Sequence, residues 1–498
     1  MNMTRRHTYY LVLGASLLAW LFAASVTLYQ ASQVWSKTCY FLNNWPGCTR
    51  TTWGVELGVL AILLGTLVIS GLVIFQIFKT VEANELQVPG WIFKIIVAIF
   101  LAGSFCVLPF TSNDIHYYFS VGRSVSEGHN PYVEPWIKSV PFFEPAQTSP
   151  EQGVMYGPLS LRIFAFMHDV AKGDIGYFIV YWKVLMVLVF VGVYLMVHWL
   201  IGNYGGRINT QTEMLFWFSQ PLLLWEWVGN GHFDGLWIIP VLGAFVAAKK
   251  QSWGLVAVCL AVAIWIKFVP ILMVPWFVLW WWQGTERTKL WSHMGEVVRV
   301  LVLAGVVTVV SWWHLWGGLQ VFNALILQSK WAVSSVFAAA YYTIFPAVSP
   351  WLGSNVHLVV TSLVQGTLLG LMIYFLYPYL QQIVKIVTKK MTWTALEYIQ
   401  AIYISLLAYL LLWQKSFWPW YFAWLIPLSF ILFCLRKNNH NTRLLGAIGY
   451  FPLLFYVPQQ LTEGKIDVLW FFYFVVLVIL AYPLYTLFVW RQKKYDLA

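Results

Sequence analysis

Four short polar stretches interrupt an otherwise apolar chain of 498 residues, and their side chains define a limited chemistry. In Ser112-Asn113-Asp114-Ile115-His116-Tyr117-Tyr118, a carboxylate follows directly on an apolar run and so lies near a membrane edge. An acid at that depth is costly unless hydrated or paired, which makes Asp114 a functional candidate; the structural alternative is a carboxylate that caps the next helix. In Trp227-Val228-Gly229-Asn230-Gly231-His232-Phe233-Asp234-Gly235, three glycines let the backbone approach a ligand closely. There, His232 and Asp234 suit either proton traffic or hydroxyl binding, or else Asp234 caps a helix and His232 satisfies a carbonyl. Lys267, in Trp265-Ile266-Lys267-Phe268-Val269-Pro270, stands at a turn between apolar helices. It either meets an anion at the interface or snorkels to mark the membrane edge. In Gln414-Lys415-Ser416-Phe417-Trp418-Pro419-Trp420-Tyr421, Gln414 and Lys415 are the polar candidates, and the tryptophans fit an aromatic belt. Gly128-His129-Asn130-Pro131-Tyr132 and Tyr156-Gly157-Pro158-Leu159 are turn formers that fix a loop's shape.

The elements that must position these groups follow from composition. With 60% hydrophobic residues, 10% charged residues and 31 Trp, the chain has too little polar surface to cover a soluble globule, so lipid is its solvent. Apolar stretches near the ~20 residues that cross a bilayer recur throughout. They predict an all-α, polytopic transmembrane bundle of about fourteen spans (range 11–14), at 9–32, 53–78, 91–110, 175–200, 212–228, 233–248, 253–266, 268–283, 299–315, 356–380, 394–413, 418–435, 444–460 and 467–490. Aromatic residues at the ends of these stretches, as at Trp91, Trp280 to Trp282, Trp312 and Trp313, suit the headgroup level.

Alternate loops, from Arg5 and Arg6 through Lys79, Arg207, Lys249, Lys250, Arg287, Lys385, Lys389, Lys390 and Arg436 to Lys493, hold most of the basic residues. The intervening loops carry a slight acidic excess. The positive-inside rule then puts both termini inside and the four polar stretches outside, so the net charge of +11 calls for no nucleic-acid partner. Only Lys94 and Lys183 are assigned within spans. The first apolar run lacks a clear small-residue cleavage site and reads as a span rather than a secretion signal. Residues 1–498 form a single membrane domain, with a long outer loop at 111–174 and a late outer loop at 414–421. Prolines break up the long loop, and its 159–170 segment predicts a helix lying at the interface. Cys39 and Cys48 share an outer loop and either pair or remain free thiols. No His/Cys array suggests a metal, and no P-loop is present.

Taken in this order, the motifs between Phe110 and Pro427 resemble the GT-C superfamily of glycosyltransferases that use polyprenyl-phosphate sugars, in its mannosyltransferase-like branch. Asp114 matches the acid of that superfamily's first large outer loop, and Phe417-Trp418-Pro419-Trp420-Tyr421 resembles its late Pro-Trp-Tyr signature. Many relatives carry a second acid beside the loop acid; this chain has Asn113 and His116 there, which points to metal-independent transfer without a cofactor.

The resemblance implies transfer of a sugar, with mannose favoured, from a polyprenyl-phosphate donor to the hydroxyl of a lipid or glycan acceptor. Transfer would proceed with inversion at the outer face of a bacterial plasma membrane, in cell envelope glycan biosynthesis. Asp114 would be the catalytic base, with His116, Tyr117, Tyr156, Asn230, His232, Asp234 and Gln414 toward the substrates and Lys267, Lys415 and Arg123 toward the donor phosphate. Two other readings stay open. A flippase for lipid-linked saccharides would place ionisable groups near the bilayer midplane, and a polysaccharide polymerase or ligase would use an Arg-rich outer loop.

Overall fold

The computed structural model describes residues 89–106, 112, 114–138, 146–147, 153–206, 210–284, 290–328, 332, 334–435, 448–449, 451–456 and 473–492. The expected spans at 9–32 and 53–78, Asn113, and the Cys39 and Cys48 pair lie outside the described residues.

The described chain is almost entirely helical. In order come α1 (Gly90–Cys106), α2 (Asp114–Ser126), α3 (Pro158–Val170), α4 (Ile175–Asn203), α5 (Thr210–Phe218), α6 (Gly235–Lys249) and α7 (Trp253–Ile266). They continue with α8 (Val274–Gly284), α9 (Leu290–Trp312), α10 (Val336–Leu352), α11 (Val356–Val387), α12 (Ala395–Ala408), α13 (Ile426–Leu435) and α14 (Ala481–Gln492). A two-residue antiparallel pair, Ile137–Lys138 with Ala146–Gln147, lies in the long loop.

Local chemistry sets several boundaries. Asp174 begins α4 by accepting from the Tyr177 amide at 2.9 Å. Thr394 and Glu397 form a reciprocal capping box at α12. Proline restarts the chain at Pro158, Pro221 and Pro419, where a missing amide costs nothing because first-turn amides have no helical partner.

Among the described residues, four helices are long and apolar enough to cross a membrane: Ile175–Asn203, Met294–Trp312, Val336–Val387 and Ala395–Trp413. Six shorter apolar helices accompany them. Among the described residues, most of the expected spans coincide with helices, but the count of about fourteen is not established. The 14 residues of α7 rise only about 21 Å, short of a hydrocarbon core of roughly 30 Å. The stretch 212–228 is broken at Gln220-Pro221 and resumes as a π-helix, Leu224–Gly229. Helix α10 falls where no span was expected, in a run punctuated by Pro346 and Pro350.

The lipid reading gains a structural argument from α9. Its hydropathy is high, yet Val298, Leu301, Val302, Val306, Val309 and Val310 are all more than half exposed. An apolar face of that extent needs lipid or protein against it. The opposite situation holds in the interior, where Trp182, Trp217, Trp225, Trp227 and Trp237 are fully buried. Trp313 is exposed as a headgroup-level residue should be, whereas Trp312 is buried and packs on Trp265 and Tyr132.

Three packing relationships build the site. Helix α2 lies against α3, α7 pairs with α6 as a hairpin, and the π-helix packs on α1 and α4. The 159–170 segment is helical as expected; Leu161 and Phe164 turn inward, and Phe166 and Val170 remain exposed. Helices α8, α11 and α12 line an open apolar cavity of about 810 Å³, with Leu272, Trp276, Leu376, Ile383, Tyr409 and Trp413 among its walls.

Candidate functional site

Asp114 opens α2, but its carboxylate does not cap that helix. The Ser112 hydroxyl instead accepts from the Asp114 amide at 3.2 Å. Freed from capping, Asp114 Oδ2 accepts from the Tyr118 hydroxyl at 3.2 Å and the Tyr156 hydroxyl at 3.4 Å, and His232 Nδ1 stands 3.3 Å away. Among the described residues these contacts all fall on Oδ2, and the carboxylate as a whole is 28% exposed. Distances of this length suit a site waiting for substrate, since catalytic hydrogen bonds often tighten only in the complex.

Tyr156 reaches Asp114 because its segment is docked on the end of α7. The Gly157 amide donates to the Ile266 carbonyl at 3.1 Å, and a Cβ on Gly157 would lie 2.1 Å from the Trp265 carbonyl oxygen. Only glycine permits that approach. Tyr132 donates to the Tyr156 carbonyl at 2.5 Å, and Asn130 ties its own loop to the Leu315 carbonyl at 3.0 Å. The Gly128 to Tyr132 motif is thus scaffold for the loop that carries Tyr156.

The second polar stretch is not an exposed loop, because residues 221–235 are all buried. Gly231 has φ of 74°, and its carbonyl accepts from Trp182 Nε1 at 2.6 Å. That left-handed residue turns the chain so that the His232 ring enters between Asp114 and the π-helix. The ring lies parallel to the Trp420 indole, with centroids 4.1 Å apart. Its Nε2 faces Glu226 Oε2 at 3.4 Å. Both ring nitrogens therefore face carboxylates at ion-pair distance, without the alignment of a formed hydrogen bond to either.

Burial alone would lower the His232 pKa, but Asp114, Glu226 and Asp234 outweigh it and raise the imidazole above its ordinary value. For Asp114, burial pushes upward, but His232, Lys267 and the Tyr118 hydroxyl hold the carboxyl below its ordinary value. An imidazolium bound to a carboxylate is the state both shifts favour.

Asp234 begins α6 without capping it. Its Oδ1 accepts from Trp424 Nε1 at 2.6 Å and pairs with Lys267 Nζ. The Lys267 ammonium sits among aromatic faces, 4.5 Å from the Trp424 ring centroid, 5.3 Å from Phe233 and 5.4 Å from Tyr421. Its backbone is extended where α7 ends, which turns the side chain inward. In this structure Lys267 is thus paired with Asp234.

The remaining sequence candidates divide. Tyr117 stands edge-on to Tyr156 and Trp136. His116 is buried in α2, and burial pushes its imidazole down to about 4, so it is neutral at pH 7. Asn230 donates to Glu226 Oε2 at 2.9 Å. The Gln414 side-chain oxygen accepts from the Tyr409 hydroxyl at 2.8 Å. Lys415 lies over the Phe337 ring, centroid 5.0 Å away, and partial burial lowers its pKa. Arg123 is not gathered with Asp114: it pairs with Glu127 at 2.7 Å, about 14 Å further along the axis of α2.

Sequence reasoning passed over Glu226, Tyr118, Trp420 and Trp424. The statement that only Lys94 and Lys183 lie within expected spans was incomplete, since Glu226 interrupts 212–228 and is fully buried. The argument applied to Asp114, an acid inside apolar sequence, would have found it. Trp420 and Trp424 read as belt residues because belt and site tryptophans have the same local sequence; here both are buried. Among the described residues, no group of three or more His, Cys, Asp or Glu is arranged to hold a metal ion.

Comparison with known proteins gives one family finding. The family model described as "Alpha-(1->6)-mannopyranosyltransferase, N-terminal domain" matches residues 11–284, which span Asp114, Tyr156, Glu226, His232, Asp234 and Lys267. No curated protein matches the chain.

Proposed function

Because the chain belongs to the alpha-(1->6)-mannopyranosyltransferase family and is a membrane glycosyltransferase, we propose that it moves mannose from a polyprenyl-phosphate donor to an acceptor hydroxyl, with inversion, at the outer membrane face. The observation that carries this reading is the partly exposed Asp114 carboxylate, whose Oδ2 is held by Tyr118, Tyr156 and His232. Asp114 Oδ1 takes the proton of the acceptor hydroxyl as its oxygen bonds to the sugar's anomeric carbon. The bond from that carbon to the phosphate oxygen breaks, and its electron pair leaves with the polyprenyl phosphate. Inversion that yields an α linkage requires a β-linked donor.

Lys267 is paired with Asp234, two residues from the His232 that faces Asp114, which makes it the leading phosphate group. Donor binding would let its ammonium answer the charge growing on the leaving phosphate, with Lys415 as the second cation. Tyr117, Tyr156, His116, His232, Asp234, Gln414 and Asn230 would serve the sugar and the acceptor. The 810 Å³ apolar cavity includes Leu272, five residues beyond Lys267, and Trp413, adjacent to Gln414, which suits an isoprenoid tail whose phosphate lies at Lys267.

The test is Asp114→Asn, which keeps the shape but cannot take the proton. Purified variant should retain its fold and donor binding and lose about 10²–10⁴ in transfer rate from polyprenyl-phosphate mannose. Transfer at near wild-type rate would remove Asp114 as the base.

A further inference from the structure

Glu226 is a fully buried titratable group that the transfer chemistry above does not use. It lies in the π-helix Leu224–Gly229, a local winding often found at functional sites. Asn230 lies four residues on and donates to Oε2 at 2.9 Å; Tyr456 donates to Oε1 at 2.8 Å. The His232 amide donates to the Glu226 carbonyl at 2.8 Å, so the backbone binds His232 to this turn and its Nε2 stands 3.4 Å from Oε2. A fully buried carboxylate with this many donors is costly to build into an apolar helix unless something requires its charge.

The groups facing His232 are Asp114 from α2, Glu226 from the π-helix, Asp234 at the start of α6 and the Trp420 indole. Two carboxylates thus flank one imidazole at 3.3 Å and 3.4 Å. We propose that Glu226 is a positioning residue for sugar transfer: it takes the Nε2–H of His232 from the buried side, so that the ring presents Nδ1–H to Asp114 Oδ2 and leaves Oδ1 to the acceptor. Without Glu226 the ring would lose the partner that fixes both its protonation and its angle, and Asp114 would lose its orientation. The arrangement generalises the nucleophile–base–orienting group logic to an Asp base held by a His–Glu pair. The inference rests on Asp114 being the base.

The experiment compares Glu226→Gln, Glu226→Asp and Asp114→Asn with the wild type in purified full-length protein. Initial rates of mannose transfer from polyprenyl-phosphate mannose are measured across pH. In parallel, carbon-13 NMR of histidine-labelled protein follows His232, identified by the resonance lost in His232→Asn. Glu226→Gln should lower the proton affinity of His232 by on the order of tenfold or more and move the alkaline limb of the rate profile to lower pH by the same amount. Glu226→Asp keeps the charge one methylene further away and should shift both readouts by less. An unchanged His232 titration in either variant overturns the proposal, as does a rate that falls only in proportion to folded protein with the profile unmoved. The His232 titration needs no turnover, so it decides the role of Glu226 even if Asp114→Asn stays active and the base assignment fails.

Discussion

The pair formed by Lys267 and Asp234 allows a structural and a chemical role for one lysine to be separated. Asp234 is 1% exposed, the Lys267 side chain 12%. Replacing Lys267 by Met keeps an apolar stem among Phe233, Tyr421 and Trp424 but leaves the Asp234 carboxylate with Trp424 Nε1 as its remaining close donor. An uncompensated buried charge costs about 3–5 kcal/mol, and the lost cation–π contacts about 1–2 kcal/mol more. Lys267→Met alone should therefore be strongly destabilised, and its loss of activity would prove nothing.

Adding Asp234→Asn removes the orphaned charge while retaining an acceptor for Trp424. The double variant should recover most of the stability, lacking only the cation–π part. Thermal unfolding in detergent reads that recovery, single-turnover mannose transfer per folded molecule reads the chemistry, and Asp234→Asn alone is the control. If Lys267 answers the donor phosphate, the double variant stays slower than the control by about 10²–10³, the loss typical of removing one electrostatic stabiliser of the transition state. Lys267→Arg should fall between, because a guanidinium presents its donors in a different geometry. A double variant that matches the control would refute the reasoning, leave Lys267 a structural residue, and make Lys415 the leading phosphate group.

The charged core of the site should be pH-sensitive in a defined direction. The raised His232 pKa contributes stability that is complete below its ordinary value of 6.5 and is lost as pH rises through the raised value. The lowered Asp114 pKa contributes stability that is complete above 3.8 and is lost as pH falls through the lowered value. Thermal scans should therefore find this contribution fully present between pH 3.8 and 6.5 in the wild type and weakened in Asp114→Asn; a wild-type-like pH dependence in that variant would contradict it. Gly157→Ala drives a Cβ against the Trp265 carbonyl and should cost about 1–3 kcal/mol while displacing Tyr156; unaltered stability and activity would argue against the tight docking of this turn. For topology, single cysteines at exposed Glu127 and exposed Lys385 should react with an impermeant thiol reagent from opposite faces, Glu127 from outside. Labelling of Lys385 alone from outside would reverse the orientation.

The membrane class, the helical content and the approximate position of nearly every described helix were legible in the sequence, because twenty apolar residues in a row have few other solutions. So were Asp114, Tyr156, His232, Asp234 and Lys267, because polar groups are rare enough in such a chain that each one stands out. What those side chains touch was not legible. Asp114 and Asp234 each had a helix cap as their structural alternative, and only the structure shows the first turned toward His232 and the second toward Lys267 and Trp424. The span count resisted the sequence for a related reason: hydropathy measures whether a segment is apolar, not whether it crosses, and α7, α8 and the broken 212–228 stretch are apolar because protein surrounds much of their surface. That Glu226 and Trp420 both meet the His232 ring belongs to the tertiary structure alone. They reach His232 from segments nearly two hundred residues apart, and local pattern carries no information about which buried turn will lie beside which ring.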